Sequence, residues 1–169
     1  MENRPLILVD VDGVLNPFRR PGADWRAYTC LAAGHPFELW LNPDHGPRLL
    51  ALAAETGAEL VWATTWEHDA NASIGPILGL PELPVIEVHK GRGSEGPGCC
   101  WKIPSVAEYV NRRPFVWFDD GLARVDRLWL QAHPNVGRFS LLHIGGNRGI
   151  RDAHFRQARD WLTSLADPR

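Results

Sequence analysis

Leu6-Ile7-Leu8-Val9-Asp10-Val11-Asp12-Gly13-Val14 sets the fold. Four apolar residues in a row, too few for a helix, read as a buried strand. Pro5 suits the start of a strand and Gly13 a sharp turn, so the strand ends on Asp10. Two later segments repeat this pattern: Glu59-Leu60-Val61-Trp62-Ala63-Thr64, and Phe115-Val116-Trp117-Phe118 followed by Asp119-Asp120. Ser140 to Ile144 reads as a fourth strand, and Val85 to Val88 as a short one.

Helical patterns separate these strands. Pro47 to Thr56 is rich in helix formers, starts with Pro and stops at Gly57. Lys102 to Asn111 is a second helix. Asp152 to Leu165 is a third, with Phe155, Ala158, Trp161, Leu162 and Leu165 at helical spacing. Strands alternating with helices imply parallel strands joined by right-handed crossovers, hence a three-layer, Rossmann-like α/β domain. Its length of 169 residues fits one domain, 1–169. Residues 16–46 carry Pro, Gly and aromatics, and a hairpin is expected there, with Tyr28 to Leu31 opposite His35 to Leu41. This segment reads as an insertion over the end of the first strand. His89 to Gly98 is expected to be a mobile loop.

The formal net charge of −2 gives no global attraction to nucleic acid or an anionic membrane. The N-terminus reads as neither a signal peptide nor a membrane span. Three cysteines without an export signal point to a reducing cytoplasm. Cys99-Cys100 is a weak candidate for a soft-metal site, because no second Cys/His pair at zinc-ligand spacing accompanies it.

In sheets of this kind ligands bind at the carboxyl ends of the strands, where Asp10, Thr64 and Asp119-Asp120 are expected together. Asp10 and Asp12, two residues apart, should face the same way and repel unless a cation lies between them. Magnesium suits such carboxylates, and Asp119 with Asp120 present the same case; solvated turns or helix caps are the alternative. Thr64 and Thr65 offer hydroxyls to a phosphate oxygen, or Thr64 caps a helix. Lys102 either neutralises anionic charge at the site or lies along the surface.

Taken in series, Asp10-Val11-Asp12-Gly13-Val14, Thr64, Lys102 and Asp119-Asp120 resemble the four motifs of the haloacid dehalogenase (HAD) superfamily. Leu41 to Gly46, Trp62 to Glu67 and Trp117 to Asp120 are similar to small bacterial proteins grouped with the phosphatase modules of RNA-repair proteins. The resemblance implies a HAD-like fold with a short cap at 16–46 and a magnesium-dependent phosphomonoesterase. It makes Asp10 the nucleophile that forms an aspartyl-phosphate and Asp12 the acid and base. Asp10, the Asp12 carbonyl and Asp120 would hold Mg2+, supported by Asp119, while Thr64 and Lys102 would clamp the phosphoryl group. Many members carry a further acidic residue four or five positions after the fourth motif. Here Arg124 and Val125 stand there and Asp126 follows, which either assists the metal or caps a helix, the cap being the preferred reading.

A phosphotransferase or phosphomutase would use the same residues. A receiver domain does not fit, because the middle strand ends in Thr64; a silent phosphate-binding module is the remaining alternative. The expected substrate is a phosphorylated small molecule or a nucleic-acid end. Arg19, Arg20 and Arg26 in the insertion either meet a second anionic group or are solvated loop residues.

Overall fold

The computed structural model describes residues 4–91 and 100–166. Four parallel strands form the central sheet: β1 (Leu6–Val9), β4 (Glu59–Trp62), β5 (Phe115–Asp119) and β6 (Phe139–His143), in the order β4-β1-β5-β6. Between β1 and β4 the chain makes an antiparallel hairpin, β2 (Arg26–Ala32) with β3 (His35–Leu41), then helix α1 (His45–Thr56). The remaining helices are α2 (Gly75–Leu78), α3 (Ile103–Val110), α4 (Arg124–Ala132) and α5 (Asp152–Ser164).

Alternation along the strands divides the core between two faces. Ile7, Val9, Leu60, Trp62, Val116 and Phe118 pack on one side with Leu49 and Leu52 of α1 and Phe155, Ala158 and Leu162 of α5. Leu6, Leu8, Val61, Phe115 and Trp117 pack on the other with Ile103, Val106 and Val110 of α3 and Leu130 of α4. The three-layer, Rossmann-like α/β fold expected of the sequence is the one observed.

The chain leaves β1 for β4 on one side and then crosses to β5 on the other. The carboxyl end of β1 is therefore the point where the strand order reverses, and a crevice opens at such a point. Asp10 stands there.

Local differences have local causes. Helix α1 begins at His45, two residues before Pro47, because a proline in the first turn has no intrahelical N–H bond to lose. Val85 makes one bridge to Trp62, and the chain then turns into a 3-10 helix at Val88–Gly91 in place of the expected short strand. The rest of the loop expected from His89 to Gly98 lies outside the described residues. The polar run after Thr65 includes a π-helical turn, Ala70–Ile74. The hairpin rests on that turn: the Ser73 hydroxyl donates to the Leu31 carbonyl and accepts from the Leu31 amide, and Asp69 accepts from the Ala33 amide. Cys30, Leu39 and Leu41 are buried in the core beneath it.

Candidate active site

β1 pairs with β5 in the register Val9↔Phe118, so the next residues, Asp10 and Asp119, leave the sheet edge side by side. Both are buried, and a third buried side chain lies between them. Lys102, immediately before α3, donates from Nζ to Asp10 Oδ2 and to Asp119 Oδ2, each at 2.6 Å, and to the Ala63 carbonyl at 3.4 Å. One ammonium with three donors thus ties together the carboxyl ends of β1, β5 and β4. The remaining oxygens accept backbone amides, Val11 N on Asp10 Oδ1 and Gly121 N on Asp119 Oδ1.

Asp10, Asp119 and Asp120 each bring a carboxylate oxygen within 4.8 Å of the others. Three carboxylates face one ammonium. Burial pushes the Asp10 carboxyl up to about 7; Lys102 opposes the shift and Asp119 adds to it. Burial, then Asp119, pushes Asp120 up as well. Burial disfavours the charge on Lys102, but Asp10 and Asp119 outweigh it and hold the ammonium above the usual lysine range. Lys102 stays charged, and the cluster remains short of positive charge. The donor set fits a hard divalent cation, being carboxylate oxygen without nitrogen or sulfur.

Asp12 is placed differently from the sequence expectation. The strand ends at Val9, and the Val11 carbonyl accepts the amides of Val14, Leu15 and Asn16 in a tight turn. Strand alternation does not extend into that turn, so the Asp12 carboxylate is not part of the carboxylate group. Asn16 Nδ2 donates to Oδ1 and Trp66 Nε1 to Oδ2, both at 2.9 Å. The cation that Asp10 does share with another carboxylate is the Lys102 ammonium, and that carboxylate is Asp119. Gly13 has a φ of +75°, and a Cβ there would lie 2.4 Å from the Asp120 carboxyl. The turn therefore needs glycine for its conformation and for room.

Asp12 lines a cavity of about 310 Å³ with Asn16, Phe37, Leu39, Thr65 and Trp66. Phe37, half exposed on the hairpin, meets the Trp66 ring edge-on at 5.8 Å. Thr64 is fully buried one residue beyond Ala63, and its Oγ1 accepts the Trp66 amide at 3.3 Å. It caps that turn while its hydroxyl proton stays free to donate. Thr65 is exposed in the cavity wall.

The arginines separate. Arg19 and Arg20 line another cavity, whereas Arg26 opens β2. Asp126 is fully buried; its oxygens accept the amides of Cys100 at 2.6 Å and Ala123 at 2.7 Å. It caps α4 and stands outside the carboxylate group. Burial pushes the Cys100 thiol up to about 11, and Cys99 lies outside the described residues. Asn16 escaped the sequence reading. Its only signal was its position four residues after Asp12, and no strand or helix period covers a turn.

The family model described as "HAD domain in Swiss Army Knife RNA repair proteins" matches residues 6–155. The match spans both sheet faces and every residue of the site, and the chain belongs to this family, a hydrolase of the HAD superfamily. No curated protein and no solved structure matches it.

Proposed function

We propose that this chain is a phosphomonoester hydrolase that uses Asp10 as its nucleophile and magnesium as its cofactor. The observation that carries this reading is the Lys102 ammonium bound equally to Asp10 and Asp119 at the point where the strand order reverses, with Asp12 held apart from them. An ammonium so placed orients the Asp10 carboxylate and offers positive charge to a phosphoryl group beside it.

Asp10 attacks phosphorus, and the bond from phosphorus to the leaving oxygen breaks as Asp12 gives that oxygen a proton. Asp12, now ionised, takes a proton from water. The hydroxide so formed attacks the aspartyl-phosphate, releasing inorganic phosphate and restoring Asp10. Splitting hydrolysis this way replaces one difficult step by two easier ones. Asn16 and Trp66 hold Asp12 in place through both steps. Lys102 and the Thr64 hydroxyl bind phosphoryl oxygens, and Thr65 lies on the leaving-group side. Asp10, Asp119, Asp120 and the Asp12 carbonyl would hold Mg2+, which when bound supplies charge opposite the phosphoryl oxygens.

The chain acts in this reading as one domain, with the hairpin as a short cap over the site. The family's description names RNA repair, which supports a nucleic-acid end as substrate ahead of a phosphorylated small molecule. Cys30 and Cys100 are free thiols, and no helix among the described residues is long and apolar enough to cross a membrane. Both features accord with a cytoplasmic enzyme. The test is hydrolysis of p-nitrophenyl phosphate with magnesium. Activity that a chelator and Asp10→Asn both abolish supports the reading; an inert wild-type protein overturns it.

A further inference from the structure

Arg19, Arg20, Trp25, Asn147, Arg148 and Arg151 line a cavity of about 540 Å³. They come from two lengths of chain far apart in sequence, the loop after Asn16 and the loop joining β6 to α5. Backbone bonds fasten these loops together: the Phe18 amide donates to the Gly146 carbonyl, and the Ile150 amide to the Val14 carbonyl, each at 2.9 Å. The same fastening sets the cavity beside the carboxylates, since a Cβ on Gly146 would lie 3.0 Å from Asp120 Oδ2.

Four guanidiniums meet in one cavity, and the chain has no excess of positive charge to make their meeting a matter of composition. Among the described residues none of the four forms a salt bridge with a carboxylate. Asp152, next to Arg151, is taken by Arg48 at 2.7 Å. Arg20 is braced by the Gly22 carbonyl at 3.1 Å and by the Trp40 ring at 5.5 Å, with donors to spare. The Trp25 indole N–H is buried without an acceptor among the described residues. Planar guanidiniums in a group suit phosphate oxygens.

We propose that this cavity is a subsite for a second phosphate group on the substrate, beside the phosphomonoester that reacts. The proposal rests on the phosphatase reading above. A second phosphate is found both on a nucleoside bisphosphate and in the phosphodiester next to a strand end.

The test uses the whole chain with magnesium, comparing wild type with Arg148→Ala/Arg151→Ala. Three substrates are assayed: p-nitrophenyl phosphate, a nucleoside 3′,5′-bisphosphate and a phosphorylated oligonucleotide. Loss of binding made equally in ground and transition states raises KM and spares kcat. The double variant should raise KM for the two larger substrates about tenfold or more, with a shallower salt dependence, since phosphate contacts release counterions. It should leave p-nitrophenyl phosphate unchanged, and Arg26→Ala should alter none of the three. An effect on both larger substrates assigns the subsite to any second phosphate; an effect on the oligonucleotide alone assigns it to the strand backbone. An unchanged KM for both, while p-nitrophenyl phosphate is still hydrolysed, overturns the subsite and leaves the phosphatase standing. If wild type hydrolyses none of the three, the phosphatase reading fails, and anisotropy of a labelled phosphorylated oligonucleotide decides the subsite alone. Weaker binding by the double variant supports it, and equal binding overturns it.

Discussion

Trp66 donates its indole N–H to Asp12 Oδ2 at 2.9 Å across 54 positions of sequence, and this bond joins the turn after β4 to the turn after β1. Trp66→Phe keeps the ring against Phe37 and removes only the donor. It should lower kcat about tenfold, within the range a positioned acid/base contributes, with KM little changed. An unchanged kcat would make Trp66 a packing residue only.

Lys102 is the only counter-charge bonded to Asp10 and Asp119 among the described residues. Lys102→Met leaves two buried carboxylates unpaired, which should cost about 3–5 kcal/mol of stability at neutral pH. Asp10 is already pushed up to about 7 by burial, and loss of the ammonium pushes it higher. A folded-state pKa above the unfolded one means that the folded state binds the extra proton, so stability rises as pH falls. Urea unfolding with chelator present should show the deficit of the variant shrinking between pH 7 and pH 5. A constant deficit would place the loss in packing.

His45 lies buried at the start of α1 between Trp25 and Phe155, with Nδ1 unpaired among the described residues. Burial, then Arg48, lowers its pKa from 6.5 to about 4. The unfolded chain therefore binds the proton first. The stability from a neutral His45 is complete above about pH 6.5 and is lost as pH falls towards 4, by roughly 3 kcal/mol at 1.36 kcal/mol per unit. Urea unfolding of wild type and His45→Leu between pH 7 and pH 4 checks this, and the variant should lose less over that window.

Gly13 and Gly57 both have positive φ, +75° and +67°, but only Gly13 faces a neighbour, since nothing lies within 4 Å of a Cβ on Gly57. Alanine at either position should cost about 1 kcal/mol of backbone strain. Gly13→Ala must in addition displace the Asp120 carboxyl, so it alone should raise the magnesium needed for half-maximal activity. Magnesium titrations of both variants measure the difference, and equal shifts would mean that Asp120 does not bear on the metal.

Strands β1, β4 and β5 were legible because they are buried on both faces and read as near-continuous apolar runs, each leading into a polar residue at the same edge. That edge brought Asp10, Asp119 and Asp120 together. Helix α4 was missed although Val125, Leu128, Trp129 and Ala132 stand at helical spacing; its apolar positions are divided, with Val125 and Leu128 on its exposed side and Leu130 its one fully buried apolar residue. The orientation of Asp12 was hidden for another reason. Periodicity describes strands and helices, and the Val11 to Asn16 turn takes its shape from three amides converging on one carbonyl. Arg148 and Arg151 join Arg19 and Arg20 only through the fold, and Arg26, nearer to that pair in sequence, is carried away by β2.

The most direct measurement is mass spectrometry of the Asp12→Asn variant, acid-quenched during turnover of p-nitrophenyl phosphate with magnesium. With the acid/base group removed, breakdown of the intermediate should slow by roughly 10²-fold or more. The account predicts phosphate on the peptide containing Asp10, labile to hydroxylamine, and no such adduct in Asp10→Asn. Turnover without any phosphorylated peptide, or Asp10→Asn hydrolysing the ester near the wild-type rate, would contradict it.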